Sequence, residues 1–176
     1  IGDAVLPADE PPADGLQELI KCNTFIVAEK NEVHSPQGSG FYLKSLGILT
    51  SFHLTDNDGF FEVFSSDSFP RDAKGIISKS LNELAADKEI DYALSNPSFR
   101  MEDIPLLEIG ESEKLDIGSK VTIAGYPNHD KGSSAYIQNC EITKKVENFH
   151  GAPLYLVSGR IVHGASGGVV LNEDRE

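Results

Sequence analysis

Gly164-Ala165-Ser166-Gly167-Gly168-Val169-Val170-Leu171-Asn172 sets a serine among glycines and then runs into an apolar, β-branched segment. Glycines this close let the backbone turn tightly and leave the hydroxyl exposed. They also let two main-chain N–H groups, of Gly164 and Ser166, point into one small concavity, the shape that holds the oxyanion of an acyl-transfer intermediate. An ordinary Gly/Ser turn has the same composition, and on these residues alone the two readings weigh equally. G-x-S-x-G is also the elbow of α/β-hydrolases, but that fold needs a helix behind the serine and a histidine further on. Ten residues follow Ser166, none of them His, and Val169 to Leu171 read as a strand. The α/β-hydrolase reading therefore fails.

A serine hydroxyl is a weak nucleophile until a base takes its proton. The candidates are His34, His53, His129, His150 and His163. His53 stands apart because it closes the run Gly38-Ser39-Gly40-Phe41-Tyr42-Leu43 … Ile48-Leu49-Thr50-Ser51-Phe52-His53, a hairpin that would hold the imidazole on a rigid rim. An arbitrary histidine is more often a surface or hydrogen-bonded side chain, and His129, in a Pro127-Asn128-His129-Asp130 turn, reads that way. The base needs a carboxylate to hold its tautomer and stabilise its cation. Asp91, in Glu89-Ile90-Asp91-Tyr92-Ala93-Leu94, sits at the mouth of an apolar strand and suits that place. Asp56 and Asp58, in an Asn57-Asp58-Gly59 turn, read as turn chemistry and lack the remaining spacing of a calcium loop.

The 176 residues fit one domain or two small packed lobes. Fifteen Lys plus Arg against 28 Asp plus Glu leave a net charge of −13, which argues against nucleic acid as a partner, since phosphates need a clustered positive surface. At 39% hydrophobic residues the chain can build a core, and no run approaches the ~20 apolar residues of a membrane span. Cys22 and Cys140 are too few for a disulfide scaffold and form no C-x-x-C pair; two buried thiols are favoured over one long-range bridge. The one N-x-S match, Asn96-Pro97-Ser98, is blocked by its proline. Thiols and absent sequons favour the cytoplasm over the periplasm.

Residues 1–18 read as an acidic, proline-rich linker: Pro7, Pro11 and Pro12 with Asp3, Asp9, Glu10, Asp14 and Glu18, and no base before Lys21. Such a segment buries too little apolar surface to offset its ordering entropy. Strand-like runs follow at Leu19–Ala28, Phe41–Leu43, Ile48–Ser51, Phe60–Phe64, Ala73–Ser78 and Ile90–Leu94, with Gly38-Ser39-Gly40 read as a turn. Ser80 and Glu83 form a capping box before Leu84-Ala85-Ala86 and predict one or two helical turns. After a polar link from Asn96 to Lys114, strands are expected at Lys120–Tyr126, Ser134–Lys144, Leu154–Val157 and Gly168–Leu171. Without βαβ units the class is all-β and antiparallel, with two β lobes joined by a linker.

In the order His, Asp, Ser, these segments resemble the trypsin-like serine peptidases, most of all the bacterial HtrA-type branch. GSGFYL…GILTSFHL is similar to that branch's G-S-G-F … I-L-T-x-x-H-V, DYAL to D-[IL]-A-[VL], and GASGGVVLN to G-x-S-G-G-P-L-x-N. Leu115 to Pro127 is similar to L-x-x-G-x-x-V-x-x-x-G-x-P. The resemblance spans about residues 20–172. It implies two antiparallel barrels of the six-stranded type, 19–108 and 109–176, forming one peptidase domain whose second barrel is incomplete at its C-terminal end. It implies His53 as general base, Asp91 as its orienting acid, Ser166 as nucleophile, and the N–H groups of Gly164 and Ser166 as oxyanion hole, with no metal or cofactor needed. Arg160 falls near where the family builds the floor of its specificity pocket, which would favour an acidic substrate side chain; an Arg facing solvent or a nearby carboxylate fits the position better. His163, next to the oxyanion glycine, is a second candidate substrate contact.

The chain departs from the pattern at three places. Ala165 stands where chymotrypsin-type enzymes carry the aspartate that captures a new N-terminus, so Ile1-Gly2 is not read as an activated start. Val169 replaces a proline. In the resembled family further strands follow the G-x-S-G-G turn, wall the specificity pocket and pair with the substrate backbone. Ending at Glu176 and starting at Ile1, the sequence is expected to be a domain of a larger protein, with regulatory domains, a partner or a missing C-terminal segment completing it. The function expected is a serine endopeptidase acting on protein or peptide substrates. The alternatives are a silent or partner-activated binding module on the same fold, and an esterase using the same triad.

Overall fold

The structure, a computed structural model, describes residues 15, 16, 19, 20, 24–29, 37–43, 46–56, 60–64, 74–78, 83–96, 107–127 and 135–174. Residues 1–14, Cys22, His34, Asp58, Ser80 and His129, which entered the sequence reading, lie outside them. Among the described residues, eleven strands form two antiparallel sheets. The first holds β1 (Thr24–Glu29), β2 (Gln37–Leu43), β3 (Gly47–Thr50), β4 (Phe60–Phe64), β5 (Lys74–Ser78), β6 (Glu83–Asp87) and β7 (Tyr92–Ser95), in the order β5-β4-β1-β2-β3-β7-β6. The second holds β8 (Lys120–Gly125), β9 (Tyr136–Phe149), β10 (Ala152–Val157) and β11 (Val169–Leu171), in the order β10-β9-β8-β11.

The class and the strand positions follow the sequence reading, with three corrections. Gly38-Ser39-Gly40 is the middle of β2, all three residues buried, and not a turn. A Cβ on Gly38 would run into the Leu54 side chain, so that glycine serves close packing. The segment from Glu83 to Ala86 is not helical but strand β6, paired with β7 through Asp87↔Tyr92, Ala86↔Ala93 and Ala85↔Leu94. Ladder bonds to an existing sheet outweigh the few tenths of a kcal/mol per residue by which Leu and Ala favour a helix. The extra strand gives the first sheet seven members where six were expected. Finally, Leu16, Leu19 and Ile20 are helical, with a Leu19 N–H to Gly15 C=O bond of 3.0 Å, so the apolar run expected as a strand from Leu19 opens in a helix, and its described strand is Thr24–Glu29.

The core lies between the sheets. Ile20, Leu43 of β2, Leu107, Ala124 of β8, and Val169 and Leu171 of β11 form one buried cluster, with Leu16, Phe41, Leu49 and Ile137 packed against it. Each large apolar side chain so buried contributes ~1.5–3 kcal/mol. Leu107 also bridges to Leu43 in parallel, tying the segment between the two sheets to β2. A second cluster of Val121, Cys140 and Ile142, covered by Leu115, Tyr155 and Val157, lies on one face of the smaller sheet.

Candidate active site

Two strand registers build the site. β3 and β7 are antiparallel, with Ile48↔Ser95, Leu49↔Leu94 and Thr50↔Ala93. Carried two residues past the ladder, that register sets Phe52 opposite Asp91, and Phe52 N–H donates to the Asp91 C=O at 3.2 Å. The chain then makes a 3₁₀ turn over Phe52–Leu54, in which buried Phe52 and Leu54 flank an outward-facing His53. Opposite, Asp87 ends β6 with a turn in which its Oδ1 accepts from Glu89 N–H at 2.8 Å and Ile90 N–H at 3.2 Å. Asp91 follows with φ 58°, a left-handed conformation that Asp tolerates better than most residues.

These elements bring His53 and Asp91 together. Asp91 Oδ2 lies 2.7 Å from His53 Nδ1, and Asp91 Oδ1 accepts the His53 main-chain N–H at 2.9 Å. A carboxylate only accepts, so Nδ1 is the donor, and in the neutral ring Nε2 carries the lone pair. The pair is open to solvent, with 54% of the His53 side chain and 44% of the Asp91 side chain exposed.

The serine turn is placed by the second register. β11 pairs with β8 through Val169↔Ala124, so the residues before Val169 leave the sheet beside Gly125 and Tyr126. Ala165 N–H donates to Val162 C=O at 3.1 Å while Gly164, third residue of that turn, has φ 89°, the geometry of a type II turn that calls for glycine. Gly168 N–H then donates to Ala165 C=O at 2.9 Å, with Gly167 at φ 77°. A Cβ on Gly167 would strike the Ser39 carbonyl and lie 2.9 Å from Ser51 N, which puts the turn against the strand end that leads to His53.

The N–H groups divide in a telling way. Those of Ala165 and Gly168 are bonded within the turn, whereas those of Gly164 and Ser166 find no hydrogen-bond partner among the described residues. Because a trans peptide sets its N–H opposite its C=O, holding the Ala165 carbonyl on Gly168 sends the Ser166 N–H out of the turn. No hydrogen bond joins Ser166 to His53 among the described residues.

Arg160 and His163 are exposed. Arg160 donates its main-chain N–H to Gln138 Oε1 at 3.1 Å. His150, another histidine of the initial set, is at the tip of the β9–β10 hairpin, 3.6 Å from Glu89. The sequence reading missed Ser39, Thr50 and Tyr126. Ser39 N–H donates to Ser166 C=O at 2.7 Å, its hydroxyl donates to Gly164 C=O at 2.9 Å and accepts from Tyr126 N–H at 2.8 Å, and Thr50 Oγ1 donates to Ser39 C=O at 2.6 Å. No local signal in the sequence marks these bonds.

The sequence matches the family model of the trypsin-like peptidase domain over residues 38–176. The chain belongs to that family. Solved structures similar to this trypsin-like domain include a serine endoprotease from Yersinia pestis, at 19% identity and a TM-score of 0.70, covering 95% of this chain and 56% of that one. The HtrA-type protease AlgW, solved with a tripeptide, is 19% identical with a TM-score of 0.67, covering 88% of this chain and 48% of that one. An inactive form of Rv3671c from M. tuberculosis is 14% identical with a TM-score of 0.67, covering 98% of this chain and 82% of that one. The chain thus spans about half the length of the HtrA-type structures it matches. No curated protein matches it.

Proposed function

We propose that this trypsin-like domain is a serine endopeptidase with Ser166 as nucleophile, His53 as general base and Asp91 as the acid that orients it. The observation that carries the proposal is the 2.7 Å His53–Asp91 pair on the rim where the serine turn packs, a turn that keeps the Gly164 and Ser166 N–H groups unbonded among the described residues. In this reading His53 Nε2 takes the Ser166 proton as Oγ attacks the scissile carbonyl. The oxyanion gathers against the N–H groups of Gly164 and Ser166, worth on the order of 10²–10³ in rate per donor. Imidazolium, held by Asp91, gives its proton to the leaving amine, and water releases the acyl group by the same steps. The two sheets would be the walls of the two barrels, residues 19–108 and 109–176. Peptide substrates, Arg160 toward an acidic side chain, His163 beside the acyl carbonyl, and regulation by attached domains belong to the same proposal.

The absence of a Ser166–His53 hydrogen bond among the described residues and the openness of the His53–Asp91 pair favour a second reading, a domain whose site closes only when a partner or substrate arrives. Labelling with a fluorophosphonate probe tests both. Labelling of Ser166 that disappears in Ser166→Ala, with the melting temperature unchanged, supports the active enzyme. Labelling only in a longer chain or with a partner supports the second reading. No labelling in any of them sinks the peptidase proposal.

A further inference from the structure

Ser39 is fully buried in the middle of a strand, yet its N–H and hydroxyl serve the opposite sheet. The β2–β3 ladder ends at Gly40↔Thr50, so the main-chain N–H of Ser39 turns to the Ser166 carbonyl instead. The hydroxyl has one proton to give, and gives it to the Gly164 carbonyl while accepting from Tyr126 N–H. Thr50 Oγ1 in turn holds the Ser39 carbonyl. One side chain therefore links β2, the end of β8 and the serine turn.

We infer that Ser39 is a positioning residue for acyl transfer: its hydroxyl fixes the Gly164 carbonyl and thereby sets where the two unbonded N–H groups point. This rests on the peptidase reading above. The Gly164–Ala165 peptide is planar and held at both ends, by Ser39 on its carbonyl and by Val162 on its N–H. With the Ser166 carbonyl held by Ser39 N–H, the stretch between Gly164 and Ser166 hangs from one rigid strand. Gly164 has no side chain of its own to resist rotation, so without the hydroxyl its plane is restrained from one end only. Gly125, where a Cβ would come 2.9 Å from Ser39 Oγ, leaves the room the hydroxyl needs.

The test is Ser39→Ala in the whole domain, with turnover of a p-nitrophenyl ester and amide exchange at Ala165 and Gly168 as readouts. A positioning role predicts a fall in kcat of about 10- to 100-fold with KM within about twofold, the size expected of a sub-ångström to 1 Å misplacement. It also predicts at least about tenfold faster exchange at those two amides. A purely structural role would lower the melting temperature and leave kcat intact, which would overturn the inference. Should Ser39→Ala fail to fold, Ser39→Cys keeps the shape while offering a much weaker donor, and the same fall in kcat is expected. If neither the unmodified domain nor a longer chain or partner complex turns over ester or takes fluorophosphonate, the peptidase reading has failed, and the exchange rates alone still decide whether Ser39 holds the turn.

Discussion

Asp91 sits at φ 58° and spends both carboxylate oxygens on one residue, Oδ1 on the His53 main-chain N–H and Oδ2 on the ring. That division makes Asp91→Asn an informative substitution. Asn also tolerates the left-handed conformation, so the backbone is kept. Its amide oxygen must stay on the main-chain N–H, which turns its NH₂ toward Nδ1. Nδ1 then has to accept, the ring proton moves to Nε2, and the base has no lone pair facing the serine. The expected outcome is a loss of about 10³- to 10⁴-fold in kcat with little change in the melting curve. Retention of turnover would remove Asp91 from its proposed role. The closeness of His53 and Asp91 was legible in the sequence because acyl transfer would need those residue types and their local strings are distinctive. Ser39 was not, because its hydroxyl partners lie 87 and 125 residues away and a serine between glycines reads as a turn.

At the scale of elements, most strands were legible because apolar, β-branched runs are bounded by turn residues. β6 was not. Leu84-Ala85-Ala86 favours a helix locally, and only the ladder with β7, itself dependent on β3, makes it a strand. Leu84, 58% exposed, shows why its apolar pattern carried no strand signal. The β9–β10 hairpin offers a test of element-level chemistry. Phe149 pairs with Ala152, leaving His150 and Gly151 as a two-residue loop with φ of 50° and 90°. Positive φ at both positions is the type I′ turn, for which Asn-Gly is the preferred pair. His150→Asn is therefore expected to raise stability by about 0.5 kcal/mol in urea melts. The substitution also removes the solvent-exposed 3.6 Å pair between His150 and Glu89, which offsets little of this. A destabilised variant would mean that the His150 ring, edge-on to Phe149 at 4.6 Å, contributes more than the turn.

For the whole molecule, the decisive feature is that neither sheet owns the candidate site. His53 and Asp91 hang from β3 and β7, while Ser166 hangs from β11 and is held by Ser39 of β2. The sheets share one buried cluster, in which Leu171 of the second, 1% exposed, packs with Leu43 of the first. Two sets of strands were readable from the strand runs, but this shared core was not, since its members come from separate segments spread along the chain. It has a consequence for cooperativity. Leu171→Ala removes a fully buried side chain and is expected to cost about 2–5 kcal/mol. If the lobes fold as one unit, that loss appears equally in both sheets: amides of β2 and β3 and amides of β8 and β9 lose the same protection in native-state exchange. Ester turnover and fluorophosphonate labelling then fall along the same denaturant curve as the exchange. Loss confined to β8 and β9, with β2 and β3 unmoved, would mean that the half of the site carrying His53 and Asp91 stands independently, and that docking of the serine turn onto Ser39 is a separate equilibrium.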